Sequence, residues 1–403
     1  MMVLNANSQE PGVDPAGRKS SGGLTLNERL MLSLVRRHGG LPKAEIARMT
    51  GLSPQTASVT MRRLEDDQLL VRGERQRGRV GQPSTPLALN PDGVFALGLK
   101  VGRRSAELLL LNFVGTVRQV LREAYAWPSP EGIARFVAQG VPALTETLAP
   151  DLRGRIAGLG VAIPFELWLW GDIVGADMQA WRDTDLVHLL AEVQPYPVFV
   201  ENDATAACGA ELTFGQGADY PDFIYFFVGY FIGGGVVLNG TVYRGRTGNA
   251  GAVGSMPVRS PTQKWGQLIN VASLFTLEQA LKAAGEDPSR LWRTPDDWDD
   301  LGSVLDAWIA MAADNLAQAI AAACSVIDFS AAILDGAFPV AVRERLVAAT
   351  RAAMGRLDLQ GIVAPQIVEG TAGSMARAIG GASLPLFDSY LLDPKVTLKE
   401  PVR

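Results

Sequence analysis

The chain has 403 residues, 47% hydrophobic and 20% charged, the composition of an ordinary folded protein with room for two or three domains. Its two cysteines, Cys208 and Cys324, exclude a disulfide framework and sit among apolar and small residues, as buried free thiols of a reducing cytoplasm do. Charge is uneven: residues 1–90 hold thirteen Lys and Arg against eight Asp and Glu while the whole chain is −5, so a head of +5 precedes a body of −10, and such a head suits a polyanion.

The opening "MMVLNANSQEPGVDPAGRKSSGG" lacks the apolar stretch of a secretory signal. Its Gly, Ser and Pro content predicts a disordered arm over residues 1–23. A helix follows, with Leu26, Leu30, Leu34 and Val35 at helical spacing and Gly39-Gly40 as its stop. Ala44, Ile46 and Ala47 mark a short second helix, and Gly51 marks a turn. Ser53 is a natural N-cap and Pro54 a natural first residue for a third helix, whose apolar stripe is Ala57, Met61 and Leu64. This is the pattern of a helix–turn–helix. The outward face, Ser53, Gln55, Thr56, Ser58, Val59, Arg62 and Arg63, holds side chains that can read base edges, with the two arginines suited to phosphates. Strands near Leu69–Val71 and Leu87–Leu89 flank a basic loop that reads as a wing, with Arg75, Arg77, Arg79 and Gln82 toward DNA and "GRVGQP" slim enough for a minor groove. A helical protein-binding module and a solvated loop are the plainer alternatives.

From about Val94 strands and helices alternate. "VFALGLKVG" and "AELLLLNFVGTV" form a hairpin, "PEGIARFVAQGVPALTETLA" an amphipathic helix, and "IAGLGVAIP" a buried strand. "YPVFVENDATAACGAELTFG" reads as strand, turn and helix. The uncharged run Phe223–Tyr243 is long enough to span a bilayer, but its glycines and Asn239 predict a second hairpin instead, and no membrane partner. A long helix over about Leu301–Ile327 precedes the strand "SAAILDGAF", and the end reads as strand, glycine turn and helix. The expected fold class is α/β: residues 24–90 a winged helix-turn-helix, and residues 91–403 a duplicated, kinase-like body of two α/β lobes with a cleft between them.

"VENDATAACGAE", "GGGVVLNGTVYRGRTGNAGAVG" and the winged helix ahead of "GRVGQPSTPLALNPDG" resemble the ROK family, which joins sugar kinases and sugar-responsive repressors on one two-lobed fold and implies an actin-like, sugar-kinase-like body over residues 91–403. The resemblance runs from about residue 24 to 390. It implies that Asn202 and Asp203 bind sugar hydroxyls, with Asp203 in the place of the kinases' general base, and that Glu201 is structural.

Other positions depart from the family. Its "GEIGH" reads "GAVGS" here, with Ala252 for the Glu and Ser255 for the His. Its zinc cysteines align on Ser260, Thr262 and Gln267, and its next Glu on Ile269, so no metal is expected. At the first phosphate turn Lys100 replaces the acid, and Arg103 and Arg104 follow Gly102. Long side chains there obstruct the close backbone approach that phosphate needs. The turns at Gly233–Gly235 and Gly370–Gly373 read as strand connections, or else as nucleotide contacts.

Trp168, Trp170 and Trp181 offer stacking faces for a sugar or plain core, and Asp177, Gln179 and Gly234 are further candidate ligand contacts. The resulting reading is a cytoplasmic, homodimeric DNA-binding repressor that senses a sugar or sugar derivative, without catalysis and without a cofactor. Its double-stranded operator has two half-sites. The rivals are an active ATP-dependent sugar kinase with a DNA-binding head, and a ligand-free dimerising scaffold.

Overall fold

The structure, a computed structural model, describes residues 23–74, 85–165, 167–170, 178–259, 265–293 and 297–392. Helices of eight or more residues and strands of three or more are numbered below.

The head consists of α1 (Leu26–Arg37), α2 (Lys43–Thr50), α3 (Pro54–Asp66), β1 (Leu70–Arg72) and β2 (Leu87–Leu89). A capping box starts α1: the Thr25 hydroxyl accepts from the Glu28 amide, and the Glu28 carboxylate accepts from the Thr25 amide at 2.7 Å. Gly51, at φ 65°, ends α2 in the left-handed region. Ser53 caps α3 as expected, accepting from the Thr56 amide. The strands pair antiparallel with Leu70 opposite Leu89. Ala57, Met61 and Leu64 are buried against Met31, Leu32, Val35 and Ile46, so the stripe read from spacing is the core of the head.

The first lobe holds β3 (Phe95–Val101), β4 (Ser105–Asn112), β5 (Val117–Ala124), α4 (Pro130–Thr145), β6 (Ile156–Ile163), β7 (Val198–Asn202) and α5 (Asp203–Phe214). The second holds β8 (Phe223–Val228), β9 (Ile232–Leu238), β10 (Thr241–Tyr243), α6 (Leu274–Ala283), α7 (Gly302–Cys324), β11 (Ala331–Gly336), α8 (Val340–Met354), β12 (Gln366–Glu369) and then α9 (Ala376–Ser389). The two sheets share one plan. Their orders are β5-β4-β3-β6-β7 and β10-β9-β8-β11-β12, each a hairpin extended by two parallel strands. The duplication read from the sequence is therefore a duplication of topology, and the run Phe223–Tyr243 is indeed strands.

Both faces of the central strands are covered, which is why they read as unbroken apolar runs. On β3, Leu97 and Leu99 face α4, while Ala96 joins the core around α9 and the head. On β8, Ile224 and Phe226 face α7, while Phe223, Tyr225 and Phe227 face α5. Helix α7 is apolar and long enough to cross a membrane, but more than half of it is buried in the second lobe.

Helix α9 returns to the first lobe. A Cβ on Gly160 of β6 would lie 1.8 Å from the Gly381 carbonyl, and one on Gly380 would lie 1.9 Å from the Ala206 carbonyl. Glycine there lets α9 rest directly on both β6 and α5. The head is not separated from this layer: its buried residues continue into Leu109, Phe113, Ala378 and Leu386 without a break.

Candidate functional site

Two regions carry the candidate residues, the outer face of α3 and the cleft between the lobes. On α3, Gln55, Thr56, Ser58, Val59, Arg62 and Arg63 are all exposed, opposite the buried stripe. Val59 is 65% exposed, a large apolar side chain held in solvent on a polar face. Three of these residues have partners within the head. Arg63 is tied down: its guanidinium pairs with buried Glu28 at 3.1 Å and with Asp67 at 3.7 Å, joining α3 to α1. Ser53 and Thr56 bond to each other, oxygen to oxygen at 2.8 Å, within the cap. Arg62 keeps its exposed position without such a pair. Arg75, Arg77, Arg79 and Gln82 lie outside the described residues.

In the cleft, β7 delivers Asn202 and Asp203 to the start of α5. Asn202 is the N-cap, its side-chain oxygen accepting from the Ala204 and Thr205 amides at 3.1 Å each. Its carbonyl is thus engaged in the cap, and its amide group is the part left to meet a ligand. Asp203 faces Arg377 of α9, Oδ2 to Nη1 3.4 Å, and both are largely buried. Arg377 also stacks on Phe227, 4.8 Å from the ring centroid, and so ties the site to the second lobe. Glu201 pairs with Arg244 at 2.7 Å, a bridge from β7 of the first lobe to the residue after β10 of the second, which supports its structural role.

Gly234 is held by packing. A Cβ there would meet the Tyr225 carbonyl at 2.1 Å and the Val253 side chain at 2.9 Å, so the close packing of β8 and Val253 requires glycine at this position. Trp181 is core: it is 6% exposed and its indole N–H donates to the Pro128 carbonyl at 3.0 Å. Trp168 is half-buried, and Gln179 is exposed with its amide 3.4 Å from the Trp168 carbonyl. Asp177 and the side chain of Trp170 lie outside the description.

The first glycine turn is filled by the protein's own cations. Lys100 stands opposite Glu107 in the β3–β4 ladder. Its ammonium donates to the Ser105 hydroxyl at 3.1 Å and to Glu107 at 3.3 Å. Burial lowers its pKa to about 8, against the raising pull of Glu107. Burial alone would raise the Glu107 carboxyl, but Lys100, Arg377 and Arg122 outweigh it and hold it below the usual range. Arg103 donates to the Ala126 carbonyl and lies 5.6 Å over the Tyr230 ring. Arg104 pairs with Glu278 at 3.5 Å. Both arginines therefore reach from the first lobe to the second.

The late turn is occupied in another way. The amides of Thr371 and Gly373 donate, at 2.9 Å each, to the buried carboxylates of Glu211 and Asp335. Backbone N–H groups of a kind that would cradle a phosphate are thus taken by two acids. Burial raises the Asp335 pKa to about 6, opposed by the Gly336 and Gly373 amides and reinforced by Glu211.

Among the described residues no three His, Cys, Asp or Glu side chains converge as metal ligands. Ser260 and Thr262 lie outside the description, and Ser255 and Gln267 are exposed.

Glu211, Asp335 and Arg377 escaped sequence reasoning. Glu211 had a signal, a carboxylate in the apolar, small-residue interior of a helix. Arg377 had a similar one, a lone arginine entering "AIGGAS".

Residues 96–282 match the ROK family and residues 22–79 the MarR family. An uncharacterized protein, y4fQ, of Sinorhizobium fredii is 25% identical over 91% of this chain and 92% of its own length. The xylose repressor of Bacillus spizizenii is 27% identical over 58% of this chain, and the match spans 60% of the repressor. The Escherichia coli DNA-binding transcriptional dual regulator NagC is 25% identical over 66% of this chain and 68% of its own length. A ROK family transcriptional regulator, described as a homolog of the E. coli MLC protein, superposes with a TM-score of 0.63 over 89% of this chain and 94% of its own, at 20% identity. A ROK family glucokinase from Streptomyces griseus, in complex with glucose and AMPPNP, gives 0.57 over 72% of this chain and 98% of its own, at 21% identity.

Proposed function

We propose that this chain, which carries a ROK-family domain behind a MarR-type winged helix, is a DNA-binding transcriptional repressor that responds to a sugar or sugar derivative. The repressors and regulators among its relatives support the reading. The observation that carries it is a pair of helices running from the cleft to the head. Helix α5 begins at Asp203 and ends at Thr213 and Phe214, where the Thr213 carbonyl accepts from Arg36 of α1. Helix α9 begins beside Arg377, and its end is gripped by Arg29 of α1, whose guanidinium donates to the Phe387 and Leu391 carbonyls at 2.6 Å each. The Leu392 amide donates to the Ser33 hydroxyl at 2.8 Å.

A ligand that moves Asp203 against Arg377 shifts the two helices that seat the head. In a homodimer on a two-half-site operator, that shift changes the spacing of the recognition helices, and spacing decides whether both engage. Cytoplasmic location follows from the role.

The body works without phosphoryl transfer in this reading. Phosphoryl transfer depends on positioned donors and a metal at the phosphates. Here Lys100 fills the first turn, and Glu211 and Asp335 take the amides of the last.

The test is operator binding with and without a panel of sugars, alongside a coupled assay for ATP turnover. Release of operator by one sugar without ATP turnover is the expected result. Lys100→Asp does not restore turnover, because Arg103, Arg104, Ala252 and Ile269 remain. Sugar-dependent ATP turnover that is lost in Asp203→Ala would make the chain a kinase. Failure of every sugar to raise the melting temperature would leave the body a scaffold, since a ligand of the native state must stabilise it.

A further inference from the structure

We propose that the pocket enclosed by Arg103, Trp127, Tyr230, Phe275 and Glu278 is a binding site for a small hydroxy-carboxylate with one flat apolar face. Its volume is about 300 Å³, at the lower end of the range for small-molecule pockets. It sets the segment after β5 against α6 and the β8–β9 turn of the second lobe. Neither Asn202 nor Asp203 lines it, and neither do Lys100, Arg122 or Arg377.

An unmet acceptor comes first. Glu278 is 1% exposed. Its Oε1 meets both of its cations, Lys282 at 2.7 Å and Arg104 at 3.5 Å. Its Oε2 is buried with no hydrogen-bond partner, although buried polar groups are as a rule paired and an enclosed, unpaired one is costly. Oε2 therefore calls for a donor from outside the chain. Two cations already share this carboxylate, so a neutral hydroxyl suits it better than a third positive charge.

An unmatched cation is the second observation. Arg103 is 7% exposed, and its Nε is buried without a partner. It donates to the Ala126 carbonyl and lies over the Tyr230 ring. Glu278 pairs with its neighbour Arg104 instead, and no other carboxylate among the described residues pairs with Arg103. Burial lowers the Arg103 pKa and Arg104 acts in the same direction, so the folded chain holds this charge at a cost that one ligand carboxylate offsets. A planar guanidinium matches a carboxylate in geometry. The walls add the third requirement. Tyr230 and Phe275 pack edge to face with centroids 5.7 Å apart, and Trp127 presents a large apolar side chain that is 47% exposed. Such faces take a flat ring. A hexuronate and a hydroxybenzoate both combine a carboxylate, a hydroxyl and a flat face.

The test uses the full chain without DNA. Glucuronate, 4-hydroxybenzoate, benzoate and phenylalanine are titrated by calorimetry into the wild type, Trp127→Ala, Arg103→Met and Glu278→Gln, with Asp203→Ala for comparison. A hydroxy acid is expected to bind more tightly than benzoate or phenylalanine: glucuronate if the flat face belongs to a sugar ring, 4-hydroxybenzoate if it is aromatic. Arg103→Met is expected to weaken it at least about tenfold, the loss of a charged hydrogen bond. Trp127 is half-exposed, so Trp127→Ala tests the site without disturbing the core, and a loss of about threefold or more is expected from one ring face. Glu278→Gln is expected to erase the preference for the hydroxy acid over benzoate without weakening benzoate, a result that general damage to the fold does not give. Binding of neither hydroxy acid, tighter binding of benzoate or phenylalanine, affinity unchanged in Trp127→Ala, an unaltered preference in Glu278→Gln, or loss in Asp203→Ala alone would overturn the proposal. Release of operator by an uncharged sugar would remain possible in each case, so this proposal and the repressor reading fail separately.

Discussion

Arg377 and Asp203 meet at the point where α9 and α5 both begin, Nη1 to Oδ2 3.4 Å, with Arg377 11% and Asp203 17% exposed along their side chains. At their far ends the same helices hold α1 of the head, one through Arg36 and the other through Arg29. The site and the DNA-binding unit therefore share two rigid elements packed on each other at Gly380 and Ala206.

Asp203→Ala is expected to abolish the effector response while leaving operator affinity intact. A site that hydrogen-bonds a hydroxyl loses about 1–3 kcal/mol for each bond removed, because the ligand's group is then buried unpaired. Gel-shift titration with and without effector measures both quantities. Equal loss of operator binding would assign Asp203 to folding instead.

Arg29→Met and Arg36→Met test the connection to the head. Arg36 is half-buried with its Nε enclosed, and burial, with Arg37 beside it, lowers its pKa to about 10. Methionine keeps the stem that packs near Phe387 and removes the charge without leaving a cavity. Operator affinity without effector is expected to be retained, and the effector-induced loss of affinity to shrink. An undiminished response in the double variant would route coupling elsewhere.

The two arginines of α3 should separate. Arg62→Ala is expected to weaken specific and nonspecific DNA alike and to lower the salt slope by about 1, as loss of one phosphate contact does. Arg63→Ala is expected to lower stability by about 1 kcal/mol, since Glu28 stays buried without its cross-helix partner and the exposed arginine's share is screened. Equilibrium denaturation and salt-dependent binding distinguish them. A change of sequence preference in Arg62→Ala would move that residue from phosphate to base contact.

Asp335 makes stability depend on pH in a stated direction. Its pKa is raised from 3.8 to about 6, chiefly by burial. The folded state therefore holds the proton more tightly than the unfolded chain. This contribution is complete below pH 3.8 and is lost as pH rises through 6, a span of about 3 kcal/mol. Asp335→Asn should flatten the difference between pH 4 and pH 7 in denaturant titrations; a steeper profile would contradict the assignment.

The local architecture was legible because it rests on short-range rules. Capped helices, the turn at Gly51 and alternating or unbroken apolar runs are set by neighbours a few residues apart. The stripe Ala57, Met61, Leu64 therefore fell where its spacing put it. The repeated hairpin-first plan of the two lobes could likewise be read from element order, and the run Phe223–Tyr243 could be told from a membrane span by its glycines.

What the sequence by itself determined is the order and kind of elements and the presence of Lys100, Arg103 and Arg104 about Gly102. Only the tertiary structure decided the partners of charged and capping groups. Arg63 reads as a phosphate contact on its helix face and becomes a brace once Glu28, thirty-five positions earlier, is packed beneath it. Asn202 and Gly234 read as ligand contacts and are engaged by the cap of α5 and by Val253. Glu211 and Asp335 close the late glycine turn from different helices and strands. The physical reason is common to these cases. A helix or strand is chosen by local backbone preference and burial pattern, whereas the fate of a charge depends on which distant group meets it in a low-dielectric interior. In the cleft, the meeting of Arg377 with Asp203 follows from the close passage of α9 over β6 and α5, a contact between segments more than 170 residues apart.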